Sequence, residues 1–151
     1  MRSEELESTA SNLAELTFKL LASCHEKEER LAKSHGLTQA EFRCLRLIQA
    51  GENVNNREIA ERMKLSASRL TRIIDGLVQK EYVIREIEPT DRRNMRVYLS
   101  NKGIDFTQRL NGDYLNIHKE ILSDIDVVQH EPLLNAMTHL LSALEKWIAK
   151  S

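Results

Sequence analysis

Ser66, Ser68, Arg69, Thr71 and Arg72 crowd into one short stretch, SASRLTR. Arginine can bond guanine through two N–H groups at once, and a short hydroxyl can bond a phosphate or a base edge. Further on, Asp91, Arg92 and Arg93 stand together in PTDRRN. Two adjacent guanidinium groups suit a minor groove, where negative potential attracts them. Asp91 would repel phosphate, so its expected role is to pair with an arginine and fix its direction. Arg57 and Lys64 are weaker phosphate candidates. This chemistry suits contact with a nucleic-acid duplex, with no bond made or broken; taken alone, the Asp91–Arg93 run also fits a solvated charged turn.

Such residues need elements that hold them. Ser66 is placed to cap a helix, its hydroxyl accepting a free N–H of the first turn. At about 100° per residue, Leu70, Ile73, Ile74 and Leu77 form one stripe, with Ala67 and Val78 at its edge. Ser68, Thr71, Arg72, Asp75 and Gln79 fall opposite, with Arg69 on the flank. Taken alone, this is also the pattern of an ordinary surface helix with a solvated face, so its neighbours decide. Before it, Asn55-Asn56-Arg57-Glu58 resembles a capping box. Ile59, Ala60 and Met63 then make a short apolar stripe. Lys64-Leu65 is the expected turn, with Leu65 a buried plug. Short helix, tight turn and longer helix is helix-turn-helix spacing. After it, Tyr82 to Glu88 and Met95 to Ser100 read as strands. Met95, Val97 and Leu99 alternate with Arg96, Tyr98 and Ser100. Pro89 to Asn94 is the expected loop between them.

At this point the run from Leu37 to Gly103 resembles the multiple antibiotic resistance regulator (MarR) family. The features that carry the resemblance are LTQAEFRCLRLI, REIAERMKLSASRLTRIIDGLVQKEYV and DRRNMRVYLSNKG. The family's wing pattern is Asp-x-Arg, a strand, Leu-Thr and a nearby Gly. Asp91, Arg93, Leu99 and Gly103 match it, and Ser100 replaces the threonine while keeping a capping hydroxyl. The resemblance implies a dimeric, bacterial, ligand-responsive transcription regulator, most often a repressor. It also implies that small molecules, often phenolic or aromatic, bind between the dimer helices and the reader. A two-fold dimer would put two readers in successive major grooves about 34 Å apart, on a pseudo-palindromic operator.

The implied fold is mainly α with a small β-hairpin wing, a winged helix-turn-helix flanked by N- and C-terminal dimerisation helices. One domain spans 1–151, with the DNA-binding part at 37–102 and the dimerisation helices at 1–35 and 103–151. Net charge is only −1, but its distribution is uneven. From Arg57 to Lys102 there are 11 Lys and Arg against 7 Asp and Glu, a net +4, whereas the flanks carry −2 and −3. The basic excess coincides with the reader.

The flanking segments follow helical period. Residues Glu4 to Lys33 read as one long helix with Leu6, Leu13, Leu16, Leu20 and Leu21 on a stripe, ended by Gly36. Thr38 and Glu41 form a capping box for a helix through Ala50, with Phe42, Leu45 and Ile48 on its core face. Ser100 caps a helix to about Leu122. Ser123 to Pro132 is a break. The last helix carries Leu133, Leu134, Met137, Leu140, Leu141, Leu144, Trp147 and Ile148, a surface wide enough to need a partner subunit. An intramolecular bundle is the competing explanation.

With five glycines and no Gly-rich loop or His/Cys/carboxylate constellation, neither an enzyme nor a cofactor is expected. A winged-helix protein-interaction module without DNA binding remains the alternative, and Arg69, Arg72, Arg92 and Arg93 speak against it. Cys24 can be read as an oxidation sensor, but Glu26, Glu28 and Glu29 oppose thiolate formation. Cys24, His25, His35 and His118 do not form a recognisable metal motif, so no metal is expected. No secretory signal or membrane span is visible, and two cysteines suit a reducing cytoplasm.

Overall fold

A computed structural model describes residues 2–151, and every side chain among them except those of residues 88 and 92–94. Helix α1 (Ser3–Ser34) is continuous. It stops where Gly36 takes the left-handed conformation (φ +70°). The Gly36 N–H bonds the Lys33 carbonyl at 3.1 Å and the Leu37 N–H bonds that of Ala32 at 2.9 Å, the bond pair of a Schellman stop. Only Leu31 and Ala32 of α1 are buried.

Thr38 caps α2 (Gln39–Arg46), and Glu41 returns the bond to complete the capping box. The helix ends at Arg46, short of the expected Ala50. Two causes are local and tertiary. The Leu47 and Ile48 N–H groups bond the carbonyls of Cys44 and Leu45 three residues back, and Arg62 donates to the Leu47 carbonyl at 2.9 Å. Phe42, Leu45 and Ile48 are buried as their spacing predicts.

Strand β1 (Val54–Asn55) leads into α3 (Asn56–Met63). Asn55 caps α3 by accepting the Glu58 N–H at 2.8 Å, while the return contact from Glu58 reaches the Asn55 side-chain amide at 3.4 Å. Lys64, left-handed at φ +56°, turns the chain into α4 (Ala67–Gln79). Leu65 is half-buried rather than the expected plug, because a cleft opens beside it. Leu70, Ile74 and Leu77 are buried, Ile73 half-buried and Ala67 exposed.

The wing pairs β2 (Val83–Glu88) with β3 (Asp91–Leu99), and β1 joins the other edge of β3. Val97 faces Val54 on one side and Arg85 on the other. The register slips between Ile87, which faces Met95, and Glu88, which faces Asp91. The turn is therefore Pro89-Thr90, and the rest of the expected loop belongs to β3. Nothing in residues 92–94 alternates apolar with polar, so period gave no hint of strand there.

Ser100 caps α5 (Asn101–Ser123), accepting the Gly103 N–H at 2.9 Å and donating to the Glu81 carbonyl at 2.6 Å. A Cβ on Gly103 would sit 1.9 Å from the Tyr82 carbonyl oxygen, which explains the glycine. Phe106 stacks on Tyr82 with ring centroids 3.9 Å apart. A 3-10 turn (Val127–Gln129) precedes α6 (His130–Lys150), whose first turn holds Pro132 without losing a helix bond.

The chain forms two compact units, one ending at Leu110 and one spanning Asn111–Ser151. The first holds the core, with Phe42, Leu45, Ile59, Leu70, Ile74, Leu77 and Val97 almost fully enclosed. In the second, His130 Nε2 lies 3.0 and 2.9 Å from the Leu122 and Ile125 carbonyls and so ties the start of α6 to the chain that leaves α5. No residue of α6 is buried within the single chain.

Candidate nucleic-acid interface

The N-terminus of α4 is exposed and uncluttered. Ser66 Oγ accepts the Arg69 N–H at 3.3 Å and lies 3.3 Å from Ser68 Oγ. No acidic residue stands in the first turn, so nothing there opposes the attraction of a helix N-terminus for anions. Ser68, Arg69 and Arg72 are exposed. Thr71 is half-buried, and its hydroxyl donates to the Ala67 carbonyl at 2.9 Å. Its oxygen can still accept a hydrogen bond from an outside donor.

The cations of this region fall into two sets. Arg62 pairs with Glu52 at 3.0 Å, Arg43 with Glu28 at 2.8 Å, Lys80 with Glu41 at 2.6 Å, Lys102 with Glu81 at 3.3 Å, and Arg85 with Asp75. Arg57, Lys64, Arg69 and Arg72 are exposed and have no acidic partner among the described residues. The cations singled out from sequence on α3, its turn and α4 thus make no ion pair among the described residues. Asp91 is exposed at the start of β3. The side chains of Arg92 and Arg93 lie outside the described residues.

The same elements carry features the sequence did not disclose. Asp75 reads as solvated polar face, yet it meets Arg85 on β2. A cleft of about 810 Å³ lies between α1 and the reader, lined by Phe18, Leu21, Cys24 and His25 on one side and Arg43, Met63, Leu65 and Arg69 on the other. Phe18 falls off the leucine stripe of α1 and is 77% exposed, an outlying aromatic being the one signal available in sequence. Glu28 braces the cleft's edge, accepting from Arg43 at 2.8 Å and Gln39 at 3.0 Å. Burial pushes the Glu28 carboxyl up, but these hydrogen bonds and the charges of Arg43 and Lys27 outweigh it and hold the pKa below the usual carboxylate value.

Cys24 is half-buried, with Lys27 Nζ 4.0 Å from its sulfur. Cys44 is buried, and that burial, with the nearby Glu41 charge, pushes its thiol up to about 12. His25 bonds Gln39 at 3.1 Å, His35 sits against the Leu31 carbonyl and His118 against that of Tyr114. Among the described residues no helix is long and apolar enough to cross a membrane.

Helix, left-handed turn, exposed helix and hairpin define a winged helix-turn-helix. The family profile described as "MarR family" matches residues 37–95. The HTH-type transcriptional regulator SarZ of Staphylococcus haemolyticus is 30% identical over 112 residues, covering 73% of this chain and 74% of that protein. The HTH-type transcriptional regulator MhqR of Bacillus subtilis is 32% identical over 89 residues, covering 59% and 61%. Among solved structures, a mutant of MarR from E. coli superposes with a TM-score of 0.75 at 21% identity, covering 85% of this chain and 96% of that one. MarR complexed with operator DNA superposes at 0.65 and 23% identity, covering 82% and 91%. The chain belongs to the MarR family of winged-helix transcriptional regulators.

Proposed function

We propose that this protein binds a pseudo-palindromic DNA operator as a homodimer and represses transcription from it. The observation that carries the reading is the sorting of cations: Arg57, Lys64, Arg69 and Arg72 are exposed and have no acidic partner among the described residues, while neighbouring cations are committed to the fold. Ser66, Ser68, Arg69, Thr71 and Arg72 face the major groove or its phosphates. Arg57 and Lys64 meet phosphate beside them. Arg92 and Arg93 enter the minor groove or meet its walls, and Asp91 braces them. Residues 37–102 are the DNA-binding part.

A second copy covers the helices at 1–35 and 103–151. Leu16 is 65% exposed on α1, and Leu134 and Trp147 are 61% and 68% exposed on α6. Removing each such side chain from water is worth about 1.5–3 kcal/mol, so a partner that buries the set is strongly favoured. The chain works in the cytoplasm, with the DNA it reads.

A small aromatic or phenolic effector modulates the complex. The cleft between α1 and the reader supports this, since Phe18 and Leu21 offer apolar walls and Arg43 and Arg69 offer cations to an acidic or hydroxylated ring. Arg69 stands in both the cleft and the DNA face, so an occupant there competes for a residue the operator needs.

Repeated selection of duplexes from a randomised pool tests the reading. An inverted repeat with half-sites one helical turn apart is expected. Enrichment of no sequence, or of a single unrepeated half-site, would overturn the dimeric reader.

A further inference from the structure

Asp75 occupies the outward face of α4, three positions beyond Arg72 and four beyond Thr71, which places all three on one side of the helix. A carboxylate there opposes phosphate, and the fold answers it with Arg85, whose Nη1 donates to Asp75 Oδ1. The pair is half-open to water, with side-chain exposures of 31% for Arg85 and 52% for Asp75. Such pairs add little to stability, so stability does not account for an acid on this face.

Position does. Arg85 lies on β2 opposite Val97 of β3, on the base side of the register slip at Ile87 and Glu88. Beyond the slip, the ladder no longer holds the outer hairpin in unbroken register. A bond from β2 to α4 just before that point fixes the base from which the wing departs. We propose that Asp75 and Arg85 are a positioning pair that sets the wing's direction relative to α4, so that helix and wing reach the same duplex together. The proposal rests on the DNA-binding reading above. Neither residue touches DNA in it; both act through the wing.

The test uses full-length protein and a duplex selected by the wild type from a randomised pool. The duplex is made in a long form with flanks and a short form trimmed to the enriched core. Wild type binds the long form more tightly, by about tenfold if the wing adds a couple of phosphate contacts. Asp75→Asn and Arg85→Gln each bring that ratio close to one, while affinity for the short form and its salt dependence stay near wild type. Arg85→Lys, which keeps a charge within reach of Asp75, retains most of the ratio. Melting temperatures near wild type exclude a merely structural loss.

An unchanged ratio in both Asp75→Asn and Arg85→Gln overturns the brace. So does tighter binding of both duplexes by Asp75→Asn with a shallower salt slope in Arg85→Gln, because Arg85 would then be a phosphate ligand that Asp75 restrains. A wild type that selects no sequence brings down the DNA-binding reading itself. One that selects a core but gains nothing from flanks brings down the wing's role and the brace with it.

Discussion

Lys80 Nζ lies 2.6 Å from Oε1 of Glu41, a residue only 4% exposed, and so ties the end of α4 to the first turn of α2. The same Glu41 oxygen accepts the Thr38 N–H at 2.8 Å. One carboxylate thus closes a capping box and anchors the reader helix across 39 residues of chain. Removing the ammonium leaves a buried charge without its counterion. Lys80→Met is expected to cost about 1–3 kcal/mol in urea unfolding, below the value for a fully buried pair because Lys80 is partly exposed. An unfolding midpoint equal to wild type would mean that the contact does not hold the reader in place.

Glu81 carries left-handed backbone, with φ +68°, directly after this anchor. A side chain in that conformation costs roughly 1–2 kcal/mol, and glycine gives back part of the gain through its freer unfolded state. Glu81→Gly should therefore raise stability by about 0.5–1 kcal/mol. The exposed contact with Lys102 at 3.3 Å is too weak to reverse the sign. A lowered melting temperature would show that the side chain's contacts outweigh the backbone strain.

Glu28 joins α1 to α2 through Arg43 and Gln39, and its pKa is held down in the folded state. A depressed carboxyl stabilises the fold fully above its unfolded value near 4.5 and loses that contribution as pH falls through the lower folded value. Glu28→Gln should remove up to about 1 kcal/mol at neutral pH, since Arg43 is largely exposed. The gap between the two proteins should close in acid. A gap that persists unchanged below the folded pKa would assign the loss to shape rather than charge.

Arg72 is expected to read a base. Arg72→Ala should cost about 1–3 kcal/mol on the selected operator and relax the choice at one position, with little change on random DNA. Equal losses on both would reassign it to phosphate.

Local chemistry made much of this fold legible. Thr38, Asn55, Ser66 and Ser100 cap the helices they precede because a capping bond spans only three residues. The stripe of Leu70, Ile74 and Leu77 was readable for the same reason. What escaped depends on distant partners. The stack of Phe106 on Tyr82 and the bond from Lys80 to Glu41 join segments no period connects. Helix α2 stops at Arg46, and Arg62, on another helix, takes the Leu47 carbonyl beyond its end. At the interface, hydroxyls and arginines on α4 announced themselves by type. Asp75 did not, because its meaning comes from Arg85 on a different element. The cleft was equally hidden, since Phe18 and Arg69 meet only in three dimensions.

On the proposed reading, this chain recognises a DNA sequence through charge and hydrogen bonds on α4 and the wing. Fluorescence anisotropy with duplex DNA flanking its own gene, against random duplex at two salt concentrations, tests that most directly. Binding at least about a thousandfold tighter to the flanking DNA is expected, weakening steeply as salt rises because phosphate contacts release counterions. Weak binding that neither distinguishes the two duplexes nor responds to salt would contradict it.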